Sequence, residues 1–352
     1  MQTGAILTVK IKSRSGEHQF DAETGEQLLY AGLRGGLDLP YECATGTCGT
    51  CKAQLISGEI EELWADAPGK KHLKQDEGQF LMCQCAAKGD AVAEVSQFVG
   101  SLRPLEGAPQ WYAGTIQNPR KLTHDVIALE VSLDSPVRFE AGQFMSVEVP
   151  GVQGFRGYSM VNFSGEAAFL EFVIKKKPGG AFTNWLFTED CEGARARLFG
   201  PLGTATFHPE IAKNLLCIAG GTGIAGIMSI LDRACQVRHF ERFAGDVFFG
   251  IRTPDDAFYL DELASFQARF PDSLRITVAF SDQAADGEFG DRYPGIRFDQ
   301  GFVHEVAGRD MAGRFENVMA YLAGPPPAVD ASIRLLIMSR LGADSIKYDK
   351  FS

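Results

Sequence analysis

Four cysteines constrain this chain more than any other feature. Cys43, Cys48 and Cys51 lie in Tyr41-Glu-Cys-Ala-Thr-Gly-Thr-Cys-Gly-Thr-Cys51, a C-x4-C-x2-C run, and Cys83 follows in Leu81-Met-Cys-Gln84. Three closely spaced cysteines with a distant fourth form the plant-type pattern for a [2Fe–2S] cluster. Such a loop must curl around the metal and turn its backbone N–H groups toward the sulfurs, so the residues between the ligands must be small. Ala44, Thr45, Gly46, Thr47, Gly49 and Thr50 meet that demand, and the glycines tolerate positive φ. A structural zinc site would show two C-x2-C knuckles, and only half of such a pair is present. A disulfide framework does not suit a large cytosolic chain. Cys85 stands two residues beyond Cys83. On a strand the two would point the same way, so the residues alone leave the fourth ligand open between them. Cys85, Cys191, Cys217 and Cys235 are otherwise scattered and read as buried, inert thiols.

The chain has 352 residues, enough for two or three domains, and a formal net charge of −11. Nucleic acid is not an expected partner, because phosphate binding needs clustered cations. The longest apolar stretch, Leu215 to Leu231, is broken by Gly220, Gly221, Gly223 and Gly226 and is too short for a membrane span. The N-terminus lacks a charged-then-apolar signal pattern, so a cytoplasmic protein is expected. Glu59, Glu61, Glu62 and Asp66 crowd together after the cysteine loop. They suit either a solvated face or a patch that steers a complementary partner.

Periodicity divides the chain into three parts. Within 1–100, residues 5–12 alternate like a half-buried strand and His18 to Phe20 return after a turn at Ser15-Gly16. Glu26 to Leu33 has helical spacing and stops at Gly35-Gly36. Lys52 to Ile60 and Ala91 to Ser96 read as further strands. Residues 101–110 hold two prolines and a glycine and read as a linker. Residues 111–208 carry short strands such as Val126 to Val131, Phe144 to Val149 and Leu170 to Ile174, which suggest an antiparallel barrel. Residues 209–352 alternate apolar strands (Leu215 to Ala219, Asp246 to Gly250, Arg275 to Phe280, Val318 to Ala323) with helices (Ile227 to Cys235, Leu260 to Arg269). That is the pattern of a doubly wound parallel α/β domain.

Two of these parts carry nucleotide signals. Gly221-Thr222-Gly223-Ile-Ala-Gly226 is a G-x-G-x-x-G between an apolar strand and an apolar-periodic helix, the context in which such glycines bring backbone up to a pyrophosphate. Phe249 to Asp256 ends the next strand, where Arg252 could stack on adenine or pair a phosphate, or merely cap a surface turn. Asp255 and Asp256 would repel a 2′-phosphate, which favours NADH over NADPH. Gly324 and Pro325 open a rigid ledge, Gly324-Pro-Pro-Pro327, at the mouth of the same crevice. In the barrel part, Arg156 suits a pyrophosphate and Tyr158 offers a face to an isoalloxazine or its chain, while Ser159 can hydrogen-bond a flavin's reactive edge. Gly179 and Gly180 lead into a short helix through Trp185 and Phe187, a second anion-binding terminus. Taken singly, Arg-x-Tyr-Ser is a weak signal, and Tyr158 alone would read as core.

Taken in order, the cysteine loop, Arg156-x-Tyr158-Ser159, Gly220-Gly-Thr-Gly223 and Gly324-Pro-Pro-Pro327 give the chain a resemblance over essentially its whole length. It resembles the ferredoxin–NADH reductase components of multicomponent bacterial oxygenases. Among these are the reductases of methane, phenol and toluene di-iron monooxygenases and of benzoate and carbazole Rieske dioxygenases. The resemblance implies a multidomain α+β and α/β fold: an N-terminal β-grasp [2Fe–2S] ferredoxin domain, an antiparallel β-barrel FAD domain, and a doubly wound parallel α/β NAD domain. It implies Cys43, Cys48, Cys51 and Cys83 as cluster ligands, which favours Cys83 over Cys85. Arg156, Gly157, Tyr158 and Ser159 match its flavin motif, with Val173, Gly179, Gly180 and Thr183 beside FAD. Gly221, Thr222, Gly223, Arg252, Gly324 and Pro325 fall on its NADH site. Ser159, Thr222 and Phe351 fall at the reacting centre, where Phe351 covers the ring until nicotinamide displaces it. One departure stands out: many relatives carry cysteine before the Gly-Pro-Pro, whereas this chain has Ala323.

The implied activity is an electron relay. NADH gives two electrons as hydride, a [2Fe–2S] cluster takes one at a time, and a flavin bridges the two counts. No general acid–base pair is needed, and His208 and His304 read as structural. The expected partner is a terminal oxygenase, either a di-iron hydroxylase or a Rieske oxygenase. The segments Gly301-Phe-Val-His-Glu and Phe258-Tyr-Leu-Asp-Glu-Leu lean toward the di-iron type. A redox sensor reporting to a regulator would need a basic recognition segment, which the sequence does not contain.

Overall fold

A computed structural model describes residues 5–102, 108–188, 191–284 and 287–351. Part of the expected linker, 103–107, lies outside the described residues. Just before it, Gly100–Ser101 pairs with Leu37–Asp38, and just after it a long strand begins at Gln110.

The first part is a five-stranded mixed sheet in the order Gly16–Glu23, Ile6–Ser13, Ala91–Glu94, Lys52–Ser57, Gln79–Leu81. Period-two alternation buries Val9 and Ile11 from the first strand against the helix Leu28–Arg34, whose own Leu28, Leu29 and Tyr30 face the same core. The helix ends where expected, at Gly35 and the positive-φ Gly36. The expected single strand from Lys52 to Ile60 is two. Gly58, at φ +91°, ends the first, and Ile60–Glu62 turns away to pair with Cys85–Ala87.

The second part is a six-stranded antiparallel sheet in the order Val152–Ser159, Phe144–Val149, Arg195–Leu202, Gln110–Lys121, Val126–Val137, Ala167–Lys175. It rolls into a barrel, and its two ends are joined where Val161 N–H donates to Glu171 O at 2.9 Å. The third part is all parallel, in the order Ile296–Gln300, Leu274–Phe280, Gly245–Ile251, Asn214–Gly220, Val318–Gly324, Ile346–Lys350. Its four inner strands are nearly continuous apolar runs because helices cover both faces, while the edge strands Ile296–Gln300 and Ile346–Lys350 carry charges. Among the described residues no helix is long and apolar enough to cross a membrane.

The three parts pack on one another. Tyr30 of the first part stacks on Phe199 of the barrel at 4.3 Å and 13°. Trp111 lies beside both, with the Arg197 guanidinium 3.7 Å above its ring. The Trp111 indole N–H donates to Glu26 Oε1 at 3.0 Å, and Arg34 holds the same carboxylate through both oxygens at 3.0 and 2.8 Å. With the Glu23 N–H donating to Oε2 at 3.0 Å as well, this buried carboxylate has four donors and is satisfied, so the seam between the first two parts combines aromatic burial with a paired charge.

Candidate redox centre

The cysteine loop folds back on itself as its composition requires. The backbone N–H groups of Thr45, Thr47 and Cys48 lie 3.4–3.5 Å from Cys43 Sγ, and that of Thr50 lies 3.5 Å from Cys48 Sγ. Gly46 and Gly49 stand at φ +89° and +80°, and a Cβ on Gly46 would sit 2.9 Å from Gln84 Cγ. Ala44 also adopts positive φ, at +56°. A hydrogen bond from the Cys48 thiol, opposed by burial and reinforced by donors of Thr47, Thr45 and Cys48, holds the Cys43 thiol down to about 4.

The fourth thiol comes from below. Met82–Gln84 is a 3-10 turn and Cys85–Ala87 a strand, so Cys83 and Cys85 do not share a strand and the condition under which they would point the same way is not met. The turn brings Cys83 Sγ to 3.2 Å from Cys51 Sγ, with both residues about 1% exposed. Cys85 instead sits in register with Glu62 on the neighbouring ribbon. Burial, then the adjacent Cys51, raises the Cys83 thiol well above its ordinary value. As thiols the pair is held by a hydrogen bond; both could be thiolates this close together only around a cation, and a set of buried sulfurs of this kind fits an iron–sulfur cluster. Cys85, Cys191, Cys217 and Cys235 are all buried, as expected.

Arg156, Gly157, Tyr158 and Ser159 end the strand Val152–Ser159, paired with Val147, Ser146, Met145 and Phe144. Gly157 faces the cysteine loop: a Cβ there would lie 3.6 Å from Cys43 O. Arg156 Nη1 donates to Gly154 O at 2.6 Å, and its guanidinium lies over Phe182. Tyr158 packs against Phe172 and Phe182, and burial raises its phenol. Ser159 Oγ is buried and has no hydrogen-bond partner among the described residues. An orphaned hydroxyl beside this aromatic wall fits a flavin's hydrogen-bonding edge.

Val173 is buried in the barrel strand Ala167–Lys175. Gly179, at φ +72°, and Gly180 lead into the helix Ala181–Thr188, as expected. Thr183 Oγ1 is engaged locally: it accepts from Lys177 N at 3.1 Å and donates to the carbonyls of Lys177 and Gly180. It shapes this glycine turn rather than projecting from it.

The third part meets the flavin motif through glycines. Gly221–Gly223 form a 3-10 turn into the helix Ile224–Gln236. A Cβ on Gly223 would lie 2.4 Å from Ala323 O, and one on Gly324 would lie 2.8 Å from Gly220 O. The carboxyl ends of two adjacent parallel strands thus touch backbone to backbone, with Thr222 half-buried beside them and Pro325 starting the next helix. On the same helix, a Cβ on Gly226 would lie 3.8 Å from Ser159 Oγ. Phe351 N–H donates to Gly324 O at 3.0 Å, so the C-terminal aromatic is tied to this crevice.

Arg252 is exposed and pairs with Asp282 at 3.3 Å. Asp256 turns inward and caps Thr253, accepting from its N at 3.0 Å and its Oγ1 at 2.8 Å, so of the two expected acidic groups only Asp255 is exposed. His208 bonds Thr206 Oγ1 at 3.0 Å and His304 stacks on Phe302.

The sequence reading missed Tyr30, Tyr41 and Tyr348. Tyr30 OH donates to Ala44 O at 3.0 Å, Tyr41 OH accepts from Gly203 N at 3.0 Å, and Tyr348 OH reaches Glu42 Oε1 at 3.5 Å. All three tie the cysteine loop to its surroundings. Tyr41 is printed in the cysteine run itself, but its partner in the barrel is not. Burial, then Glu42, pushes the nearby Asp349 carboxyl up to about 7.

The flavin strand therefore touches the cysteine loop through Gly157 and the helix after the glycine turn through Ser159. Comparison with known proteins gives the same three parts: a 2Fe-2S iron-sulfur cluster binding domain at residues 11–88, an oxidoreductase FAD-binding domain at 113–207 and an oxidoreductase NAD-binding domain at 217–333. The chain is 34% identical over 333 residues to the ferredoxin–NAD(P)(+) reductase CarAd of Metapseudomonas resinovorans, covering 93% of this chain and 95% of that one. The chain belongs to the ferredoxin–NAD(P) reductase components of multicomponent oxygenases. Another member is the xylene/toluene monooxygenase electron transfer component XylA of Pseudomonas putida, 31% identical over 347 residues and 98% of this chain and 93% of that one. The solved ferredoxin reductase in carbazole 1,9a-dioxygenase superposes with a TM-score of 0.84 at 32% identity, covering 99% of each chain. As a member of this family the chain is an NAD(P)H oxidoreductase that uses FAD and a [2Fe–2S] cluster, and membership implies a terminal oxygenase as partner.

Proposed function

We propose that the chain is the cytoplasmic NADH-dependent reductase of a soluble di-iron monooxygenase acting on an aromatic or small hydrocarbon. Its domain limits are 1–100, 111–208 and 209–352. Cys43, Cys48, Cys51 and Cys83 hold the cluster, and the contact between Cys51 and Cys83 supports Cys83 over Cys85. Arg156, Gly157, Tyr158, Ser159, Val173, Gly179, Gly180 and Thr183 hold FAD. Gly221, Thr222, Gly223, Arg252, Gly324 and Pro325 hold NADH.

When bound, the flavin takes hydride from NADH and passes single electrons to the cluster. The protein's work is positional. Gly223 and Gly324 have no side chains, so the nicotinamide end can lie against bare backbone at the strand ends. The Ser159 hydroxyl is free to hydrogen-bond the flavin's reactive edge, and Thr222 lies on the glycine turn that leads into the helix packed against it. Phe351, tied to Gly324, shields that edge from water until nicotinamide replaces it. Gly157 lets the Cys43 carbonyl approach the flavin strand, which shortens the path out of the barrel. The observation that carries this reading is one strand with a contact at each side: Ser159 lies against Gly226 of the helix that follows the glycine turn, and Gly157 lies against the Cys43 carbonyl.

The monooxygenase assignment rests on the Gly301-Phe-Val-His-Glu and Phe258-Tyr-Leu-Asp-Glu-Leu segments and on similarity to a xylene/toluene monooxygenase component over nearly the whole chain. The likeness to the carbazole dioxygenase reductase supports a Rieske oxygenase as the second reading. Exposed Asp255 supports NADH over NADPH. Coupled product formation with purified terminal oxygenases decides the partner: turnover only with a Rieske component rejects the first reading.

A further inference from the structure

We propose that Tyr30 is the positioning residue that sets the cluster loop against the flavin strand. Its hydroxyl fixes Ala44 and hence Cys43, while its ring ties that fix to the barrel. The inference rests on the reductase reading and goes beyond it, since Tyr30 touches neither cofactor motif in sequence.

Tyr30 is fully buried on the helix Leu28–Arg34. An interior helix residue needs no hydroxyl for packing, and a buried hydroxyl must find a partner. The partner here is the carbonyl of Ala44, at 3.0 Å. Ala44 sits at φ +56°, a conformation that a side chain disfavours and that persists only where the surroundings hold it. The Tyr30 hydroxyl supplies such a hold. Ala44 also sets the direction of the chain on both sides. On one side Cys43 presents its carbonyl to Gly157, and on the other the N–H groups of Thr45, Thr47 and Cys48 turn back onto Cys43 Sγ.

The other end of the tie is the barrel. The Tyr30 ring stacks on Phe199, and edge contacts to Trp111 and Phe155 fix its rotation. Ser146 stands in register with both Gly157 and Phe199. Its hydroxyl is fully buried, has no hydrogen-bond partner among the described residues, and faces the Tyr30 phenol. One side chain therefore touches the strand that carries the flavin motif and the peptide next to a cluster ligand. Tyr30 can fix two things at once: the separation of flavin and cluster, and the orientation of the donors on Cys43. The first governs how fast each electron passes from reduced flavin to oxidised cluster, and the second governs the cluster's potential.

The test is Tyr30→Phe in the full chain loaded with FAD and cluster, because it keeps the ring and removes only the hydroxyl. Stopped-flow mixing with NADH is expected to show flavin reduction at the parent rate, followed by cluster bleaching slower by roughly 3- to 10-fold. The dithionite-reduced variant is expected to show shifted g-values and a lower cluster midpoint potential, neither of which a packing role would move. If bleaching rate, g-values and potential all match the parent, Tyr30 is core and the proposal is overturned. If the variant does not retain its cluster, Ala44→Gly is added, because glycine adopts the positive φ without help. Recovery of cluster content in the double variant supports the proposal, and no recovery overturns it. A parent protein that lacks a rhombic EPR signal or NADH-dependent flavin reduction would instead sink the reductase reading, and this proposal with it.

Discussion

At the cysteine loop, thiols come together from two segments, and every residue between Cys43 and Cys51 is small so that the chain can wrap. At the dinucleotide crevice, the reverse holds: the ends of Asn214–Gly220 and Val318–Gly324 meet with no side chains between them, and a single Cβ on Gly223 would lie 2.4 Å from Ala323 O. One site is made of the groups it presents, the other of the groups it leaves out. A metal centre fails when a donor is lost. A crevice fails when an atom is gained. The two sites should therefore respond to opposite kinds of substitution and do so independently.

The sharpest contrast is within the cluster site itself. Cys83→Ser is expected to abolish the rhombic EPR signal of the dithionite-reduced protein, because serine leaves one metal position without a thiolate. Cys85→Ser should retain the signal, since Cys85 faces Glu62 on the neighbouring ribbon. Loss of signal in the second variant and not the first would reverse the ligand assignment. In both, FAD content and flavin reduction by NADH should match the parent.

Gly223→Ala should have the complementary phenotype. The added methyl meets main chain, which cannot swing aside, at a cost of about 1–3 kcal/mol. Flavin reduction by NADH is expected to fall by roughly 10-fold or more, with the cluster's EPR signal unchanged. Gly221→Ala is the control. It sits at φ +53° with nothing near its Cβ position, so it carries only a conformational cost of about 1–2 kcal/mol. Equal losses in the two variants would show that the turn's conformation, and not room beside Ala323, is what the glycines provide.

How much of this was legible in the sequence follows the same division. Thiols with fixed spacing are visible in one dimension, and so was the cluster loop. Glycines became legible only with a strand before them and a helix after them. The partition into a mixed sheet, an antiparallel barrel and a parallel sheet followed from periodicity. What escaped was set by contacts between distant segments. The helical pattern over Glu26 to Leu33 implied that Tyr30 is buried, but not that it stacks on Phe199 or reaches Ala44. The residues alone left Cys83 and Cys85 open because the 3-10 turn Met82–Gln84, which separates Cys83 from the strand that begins at Cys85, has no signature in the sequence. Asp256 looked like a surface charge, yet a turn at Pro254 gave it Thr253 to cap.

The seam between cluster domain and barrel gives a smaller, pH-dependent effect. Burial alone would raise the Glu26 carboxyl, but the hydrogen bonds from Arg34, the Glu23 backbone N–H and Trp111 outweigh it and hold the group below its ordinary 4.5. A carboxyl lowered in the fold contributes stability above its unfolded value and loses it as pH falls through the folded value. Glu26→Gln should therefore lower stability at pH 7 by about 1–3 kcal/mol. The gap between variant and parent should close as pH drops below 4.5. Thermal melts across that range check it, and a gap independent of pH would mean that the carboxylate's charge is not what stabilises the seam.

The smallest expected effect concerns the residue beside the hydride path. Ala323 is 7% exposed, and its carbonyl backs Gly223. The resemblance implies a cysteine before the Gly-Pro-Pro in many relatives, whereas this chain has Ala323 and no thiol at that point. Its main chain already fixes the crevice, so nicotinamide binding should be intact. Only the polarizable sulfur beside the reacting carbon is missing. The contact with Gly223 is made by the Ala323 main chain, which a side-chain change at 323 leaves in place. Ala323→Cys is therefore expected to leave the concentration dependence of flavin reduction unchanged and to raise its limiting rate several-fold, on the order of 1 kcal/mol in the barrier. Stopped-flow flavin reduction measures both quantities. An unchanged limiting rate would mean that backbone placement alone sets the speed of hydride transfer, which would bring the crevice fully under the rule that its function lies in what it omits.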